Sequence, residues 1–138
     1  TINAAPGVIS DHGARAIAPH RIGNAGIFST ASDLAKFCRM MLNRGRGFFK
    51  TDIAELFFTN QAPPGMTPRS IGWNMAPDFI PEGCSASTIH HTGWTGQAVW
   101  IDPAKQRFLI LLTNRFGDSI ESWRGRLAAA QEIFNTIV

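Results

Sequence analysis

The sequence predicts an α+β chain: helices first, then antiparallel strands, then a closing helix. Three patterns predict it. Leu34, Phe37, Cys38, Met41 and Leu42 recur at i, i+3, i+4, i+7 and i+8, which is one apolar face of an α-helix. The β-prone runs Gln97–Ile101 and Arg107–Thr113 flank five polar or turn residues and read as an antiparallel hairpin. From about Ser119 the helical period returns, with Trp123, Leu127, Ala130, Phe134 and Ile137 as a stripe that should lie across one face of the sheet.

In chain order, residues 1–28 are rich in Gly, Ala, Pro and His and read as an irregular, extended segment, with turns at Pro6-Gly7 and Gly23-Asn24. Thr30, with Asp33 three residues on, is a capping-box-like helix start. Arg44 and Gly45 end that helix, the glycine supplying the left-handed C-terminal residue. Thr51 is placed to cap a short helix through about Phe58, with Ile53, Leu56 and Phe57 inward. Residues 59–70 are a Pro/Gly-rich connection. Ile71–Met75 alternates well enough for a strand, and 76–87 returns to loop with turn formers at Pro77, Pro81 and Gly83. Thr88–Thr92 should be the strand entering the hairpin, with a turn at Gly93 and Gly96. The 107–113 run is apolar on both faces, which predicts a central strand covered on both sides. The resulting division is 1–62, irregular segment plus helices, and 63–138, sheet hairpin and closing helix.

Composition narrows the function classes. At 138 residues the chain is about one domain. Its 44% apolar and 17% charged content is that of a chain with a core, not of a disordered tail. No apolar run approaches the roughly 20 residues of a membrane helix, and no basic-then-apolar leader opens the chain. Thirteen Lys and Arg against ten Asp and Glu give a mild +3. The arginines are scattered, whereas a nucleic-acid binder carries a denser basic stripe. Cys38 and Cys84 make no disulfide framework and read as buried or half-buried thiols. Nothing has the spacing of a zinc site, and no cofactor is implied.

The stretch His90-His91-Thr92-Gly93-Trp94-Thr95-Gly96 is the most unusual. On a strand the two histidines point to opposite faces, so they cannot share one metal; one should face solvent or a cleft and the other the interior. A strand ending in glycine lets a substrate approach the backbone closely. The Thr92 hydroxyl and His91 imidazole beside it are suited to a carboxylate or carbonyl, and the Trp94 N–H to an oxyanion. Taken alone, H-T-G is short enough to be only a strand end with a tight turn.

Two longer segments carry more. Gly23–Phe37 (GNAGIFSTASDLAKF) resembles the G-x-A-G-L-F-S-T-A-x-D-L-A-x-F helix entry of the serine β-lactamase-like superfamily: class C β-lactamases, penicillin-binding D-Ala-D-Ala peptidases and family VIII esterases. His91–Gly96, Val99–Pro103 and Leu111–Arg115 resemble the same family's H-T-G-x-T-G, W-I-D-P and L-L-T-N-R hairpin, in the same order and spacing. The resemblance covers about Gly7 to the C-terminus. It implies a β-lactamase/transpeptidase-like fold and acyl transfer by a serine of an S-x-x-K motif, with a lysine and a Y-x-N tyrosine moving protons. Those parts are missing: no Ser has Lys three residues on, and the chain has no Tyr.

The chain is therefore expected to be the C-terminal portion of such an enzyme, inactive alone, with nucleophile and base upstream. No residue of this chain is expected to be catalytic. Carried over position by position, His91, Thr92, Gly93 and Trp94 would form the substrate-binding and oxyanion rim. His91 stands where Lys is usual, and an imidazole is a weaker permanent cation, which counts against carboxylate recognition. Asp11 reads as a structural hydrogen-bonder in place of the family's H-D stretch, His12 and His20 as loop residues, and Asn114-Arg115 as an anchor. Trp94 is the tryptophan expected to touch substrate.

The implied substrate is a small β-lactam, peptide or ester, and family habit favours a periplasmic or secreted location. The implied partner is the missing N-terminal part, or a second copy pairing at the apolar surface beside the hairpin. The alternative is a non-catalytic remnant that binds a ligand or partner.

Overall fold

The first helix that organises the chain is α2 (Ala31–Leu42). The Thr30 hydroxyl accepts the Asp33 N–H at 3.2 Å and so satisfies one of the helix's orphan donors. Cys38, Met41 and Leu42 are buried, Leu34 is half-buried, and Phe37 lies at the margin, stacked on Trp73 with ring centroids 6.3 Å apart. At the far end the Gly45 N–H returns to the Met40 carbonyl at 2.9 Å, with Gly45 at φ 67°. A Cβ there would lie 2.8 Å from Cδ2 of Phe49, so both the turn and the close packing require glycine. The computed structural model describes residues 5–20, 23–114 and 120–137.

The sheet has five antiparallel strands in the order β1 (Arg69–Ser70), β2 (Trp73–Asn74), β3 (Ile89–Thr92), β4 (Ala98–Asp102), β5 (Arg107–Leu111). Alternation along the strands sends side chains to two cores. One joins Ile89 and Ile101 to Cys38, Met41, Leu42, Phe58 and Met75, with Val99, Phe108 and Ile110 packed against it. The other joins Ala98 and Trp100 to Ala130 and Phe134 of α4 (Ile120–Thr136), with Leu109, Leu111 and Trp123 beside them. The antiparallel α+β architecture is thus the one the sequence predicts, with α2 on one face and α4 on the other.

Several local expectations are corrected. The 1–28 segment is not wholly irregular: α1 (His12–Ala16) forms where the Asp11 carboxylate accepts the Ala14 N–H at 2.7 Å, the structural role expected of Asp11. The short helix α3 (Thr51–Leu56) begins after Lys50, without a side-chain cap, and Thr51 lies inside it. Its inward residue is Ala54, and Phe58 is buried just beyond the helix end, whereas Ile53 and Leu56 are exposed and Phe57 is half-buried against Phe49. Ile71–Met75 is not one strand: Ile71 and Gly72 form the turn of a two-residue hairpin, with Gly72 at φ 75°. The 107–113 strand is covered on both faces but stands at the end of the strand order among the described residues. The most buried strand is β4, where Ala98, Trp100, Ile101 and Asp102 are each within 1% of full burial. Ile137 lies beyond α4 and is 52% exposed. The expected start at Ser119, Arg115, and residues 1–4 and 21–22 of the 1–28 segment lie outside the described residues.

Polar groups pin the back of the sheet. Asp102 is fully buried, and its carboxylate accepts the Ser85 hydroxyl at 2.6 Å, the Ser85 N–H at 3.1 Å and the Lys105 N–H at 3.2 Å. Arg107 Nε stands 3.7 Å away, an ion pair without a hydrogen bond, while its other nitrogens donate to the carbonyls of Phe134 and Gly83. The Trp100 indole donates to the Phe79 carbonyl at 2.9 Å, tying β4 to the 3₁₀ turn Pro77–Phe79. Glu82 and Gln131 exchange two hydrogen bonds and fasten that loop to α4.

Candidate active site

The register of β3 decides what each residue of the H-H-T-G stretch meets. His90 pairs with Trp100 and His91 with Val99, so His90 faces the α4 core and His91 the α2 side. His90 is 1% exposed, its ring stacked 5.6 Å from Phe79 and 6.4 Å from Trp123. Neither of its ring nitrogens has a hydrogen-bond partner. Burial, aided by repulsion from His91 and Arg69, lowers its pKa to about 4, so the imidazole is neutral and acts as an aromatic core residue. His91 is exposed, with the Trp73 ring edge-on at 6.4 Å. The inward and outward histidines expected from the sequence are therefore His90 and His91 respectively.

Strand β2 pairs with β3 only at Asn74↔His90. Beyond that point the stretch His91–Gly93 is paired by β4 alone among the described residues. The free edge coincides with the residues carried over from the family motif. Thr92 is half-buried, and its hydroxyl has no hydrogen-bond partner among the described residues. Gly93 opens a β-turn: its carbonyl accepts the Gly96 N–H at 3.0 Å, and its own N–H donates to the Gln97 carbonyl at 2.7 Å. Trp94 and Thr95 occupy the central turn positions, and the Trp94 ring is 82% exposed. His91, Thr92, Gly93 and Trp94 follow one another along this strand end and turn, but the side chains of His91 and Thr92 alternate: His91 pairs with Val99 on the α2 side and Thr92 with Ala98 on the α4 side, so the expected pairing of hydroxyl and imidazole on one face is not formed.

Gln97 is the residue of this region that motif reasoning passes over. The Thr95 hydroxyl donates to Gln97 Oε1 at 2.8 Å, and Gln97 Nε2 donates to the Thr113 carbonyl at 3.4 Å. The available signal is its place directly after Gly96, where a side chain folds back over the turn. The remaining candidates stand apart: His12 is bonded to Arg15 at the N-terminal helix, His20 is an exposed loop residue, and Asn114 is exposed past β5. Among the described residues no group of three or more His, Cys, Asp or Glu is placed to hold a metal ion, and no helix is long and apolar enough to cross a membrane. Cys38 and Cys84 are free thiols, buried and half-buried as expected; burial raises the pKa of both, Cys38 to about 11.

With this geometry in place, the likeness to known proteins is informative. An N-acetylmuramyl-L-alanine amidase of Bacillus subtilis is 38% identical over 104 residues, 67% of this chain and 23% of its own length. A Salmonella typhi protein that carries the name D-alanyl-D-alanine carboxypeptidase is 36% identical over 106 residues, again 67% of this chain and 23% of its own. The chain thus spans about a quarter of the length of these curated relatives. A crystal structure of a beta-lactamase from Mycobacterium bovis superposes with a TM-score of 0.61 at 24% identity, over 76% of this chain and 43% of that one, which shows the shared fold. The family model described as Beta-lactamase matches residues 3–132, nearly the whole sequence, and the chain belongs to that family.

Proposed function

We propose that this chain is the C-terminal portion of a serine hydrolase that acts by acyl transfer. His91, Thr92, Gly93 and Trp94 would form the substrate-binding and oxyanion rim, and the serine nucleophile and its Lys/Tyr base would be supplied by residues upstream of Thr1. The observation that carries this reading is the H-T-G-W-T-G strand end, left unpaired by β2 beyond His90 and closed by a turn with Trp94 at its first central position. A carbonyl lying along that edge would meet strand backbone on one side and the Trp94 N–H at the turn. Such a donor, fixed before the reaction, stabilises charge developing on oxygen. The nucleophile's own N–H would be the second donor. The relatives' names, an amidase and a D-alanyl-D-alanine carboxypeptidase, favour an amide or peptide carbonyl among the β-lactam, peptide and ester candidates. His91 in place of a lysine favours substrates that do not depend on a permanent cation.

The chain alone would be inactive, since it has no S-x-x-K and no tyrosine. That same absence favours a second reading, a ligand-binding remnant. Labelling with a fluorescent penicillin or a fluorophosphonate separates the two. The 138-residue chain should stay unlabelled, while the longer product of the gene labels on a serine upstream of residue 1. A longer product without such labelling favours the remnant, and labelling of the chain alone refutes the assignment of the nucleophile. Hydrolysis of a p-nitrophenyl ester but not of nitrocefin would select an esterase.

A further inference from the structure

We infer that Gln97 is a positioning residue for the oxyanion donor, locking the 93–96 turn through its side-chain amide; this rests on the acyl-transfer reading above. Its position over the turn is unusually close. Gln97 Oε1 lies 2.5 Å from where a Cβ on Gly93 would stand, so the amide occupies the space a side chain at 93 would take. Its two ends are tied to different elements. Oε1 accepts from the Thr95 hydroxyl inside the turn at 2.8 Å, and Nε2 donates to the Thr113 carbonyl beyond β5 at 3.4 Å. Thr113 completes the brace from the other direction, its hydroxyl donating to the Gly96 carbonyl at 2.5 Å. Together with Gly93 N–H to Gln97 O, these bonds hold the backbone on both sides of Trp94 against β4 and the end of β5.

Glycines flank the turn at 93 and 96, and Gly96 sits at φ 115°, so local backbone preference alone does not define one conformation. An oxyanion donor is effective only when its direction is set in advance. Gln97 therefore does for Trp94 what the backbone cannot.

Two readouts test this. In the 138-residue chain, amide hydrogen exchange is followed by NMR in wild type and Gln97→Ala. Exchange at Gly93 and Gly96, whose N–H groups donate to the Gln97 and Gly93 carbonyls, should speed up by about tenfold or more, with Trp100 and Leu109 unchanged as evidence that the sheet is intact. Gln97→Glu, which keeps the acceptor for Thr95 but loses the donor to Thr113, should fall between. In the longer product, Gln97→Ala should lower kcat for an ester by about tenfold with little change in KM, and lower the corresponding thionoester rate much less, because sulfur profits little from the oxyanion donor. Unchanged exchange at Gly93 and Gly96, or equal losses for ester and thionoester, overturns the inference. A longer product that never labels removes the acyl-transfer reading, whereas the exchange result still decides whether Gln97 locks the turn.

Discussion

Gly93→Ala should destabilise the chain through one contact, and removing that contact should abolish the effect. A Cβ at 93 would stand 2.5 Å from Gln97 Oε1 but 3.4 and 3.5 Å from Gln97 Cβ and Cδ, so only the amide end must move. Rotating it away sacrifices one good hydrogen bond, from Thr95 at 2.8 Å, and one long one, to Thr113 at 3.4 Å. At a net 0.5–1.5 kcal/mol for an ordinary hydrogen bond, the loss is about 1–2 kcal/mol. Alanine returns a few tenths to about 1 kcal/mol by restricting the unfolded chain, since Gly93 is not among the residues at positive φ. Gly93→Ala is therefore expected to cost about 1 kcal/mol. Gln97→Ala alone loses the same bonds and costs about 1–2 kcal/mol. In the Gln97→Ala background the clash is gone, and Gly93→Ala becomes neutral or slightly stabilising. The coupling between the two sites should then be about 1–2 kcal/mol, well above the few tenths seen for independent sites. Urea unfolding of the four proteins, followed by tryptophan fluorescence, measures it. Additive costs would refute the packing of the Gln97 amide over the turn.

Three further outcomes are expected. Asp102→Ala should cost about 3–5 kcal/mol in urea unfolding, because it leaves the Arg107 guanidinium, itself 17% exposed, without its carboxylate and frees the half-buried Ser85 donors; a loss under 1 kcal/mol would show that the Asp102 cluster does not fasten β4. The His90 pKa falls on folding to about 4, so the unfolded chain takes the proton first. Stability should be intact above about pH 6.5 and decline as pH falls toward 4, by about 3 kcal/mol over that window at roughly 1.4 kcal/mol per pH unit. His90→Phe should flatten that slope, and an unchanged profile would remove His90 as its source. With Cys38 fully buried and both thiols held above their ordinary pKa, iodoacetamide at pH 8 should leave Cys38 unmodified and alkylate Cys84 slowly; mass spectrometry showing rapid double modification under native conditions would contradict the packing around α2.

Legibility followed the strength of periodic signals. The α2 face and the β4/β5 hairpin were plain because apolar residues recur there at the spacing of one element and the core they meet is large. The short elements were not. A six-residue helix such as α3 offers too few turns to fix its phase, so the small Ala54 took the inward face in place of Ile53 and Leu56, with Phe58 buried just past the helix end. At 71–75 the hydrophobic alternation concealed a turn, since Gly72 at φ 75° reverses the chain where a strand would have continued. The place of β5 at the end of the strand order among the described residues could not be read from its composition: coverage by α2 and α4 makes both faces apolar whether or not a further strand lies alongside. The residues proposed for the rim stood out as a motif, but the hydrogen bonds around them did not, because Gln97, Thr95 and Thr113 act through a fold that brings residues 97 and 113 together.

The two histidines show how one packing choice orients the candidate site. Strand side chains alternate, so seating either histidine in the α4 core drives the other to the opposite face. His90 takes the core between Phe79 and Trp123 even though its ring nitrogens go unpartnered there, a cost of burying polar groups that stacking and apolar contact must offset. The return is that His91, Trp73 and the open edge of β3 fall on one side, while Asn74 closes the strand at the residue before. A slip of one residue would bury His91 against Trp123, expose His90, and turn the Thr92 hydroxyl away from its present face. The stacking of His90 on α4 is thus part of what sets the direction of the proposed rim, although its own ring lies in the α4 core.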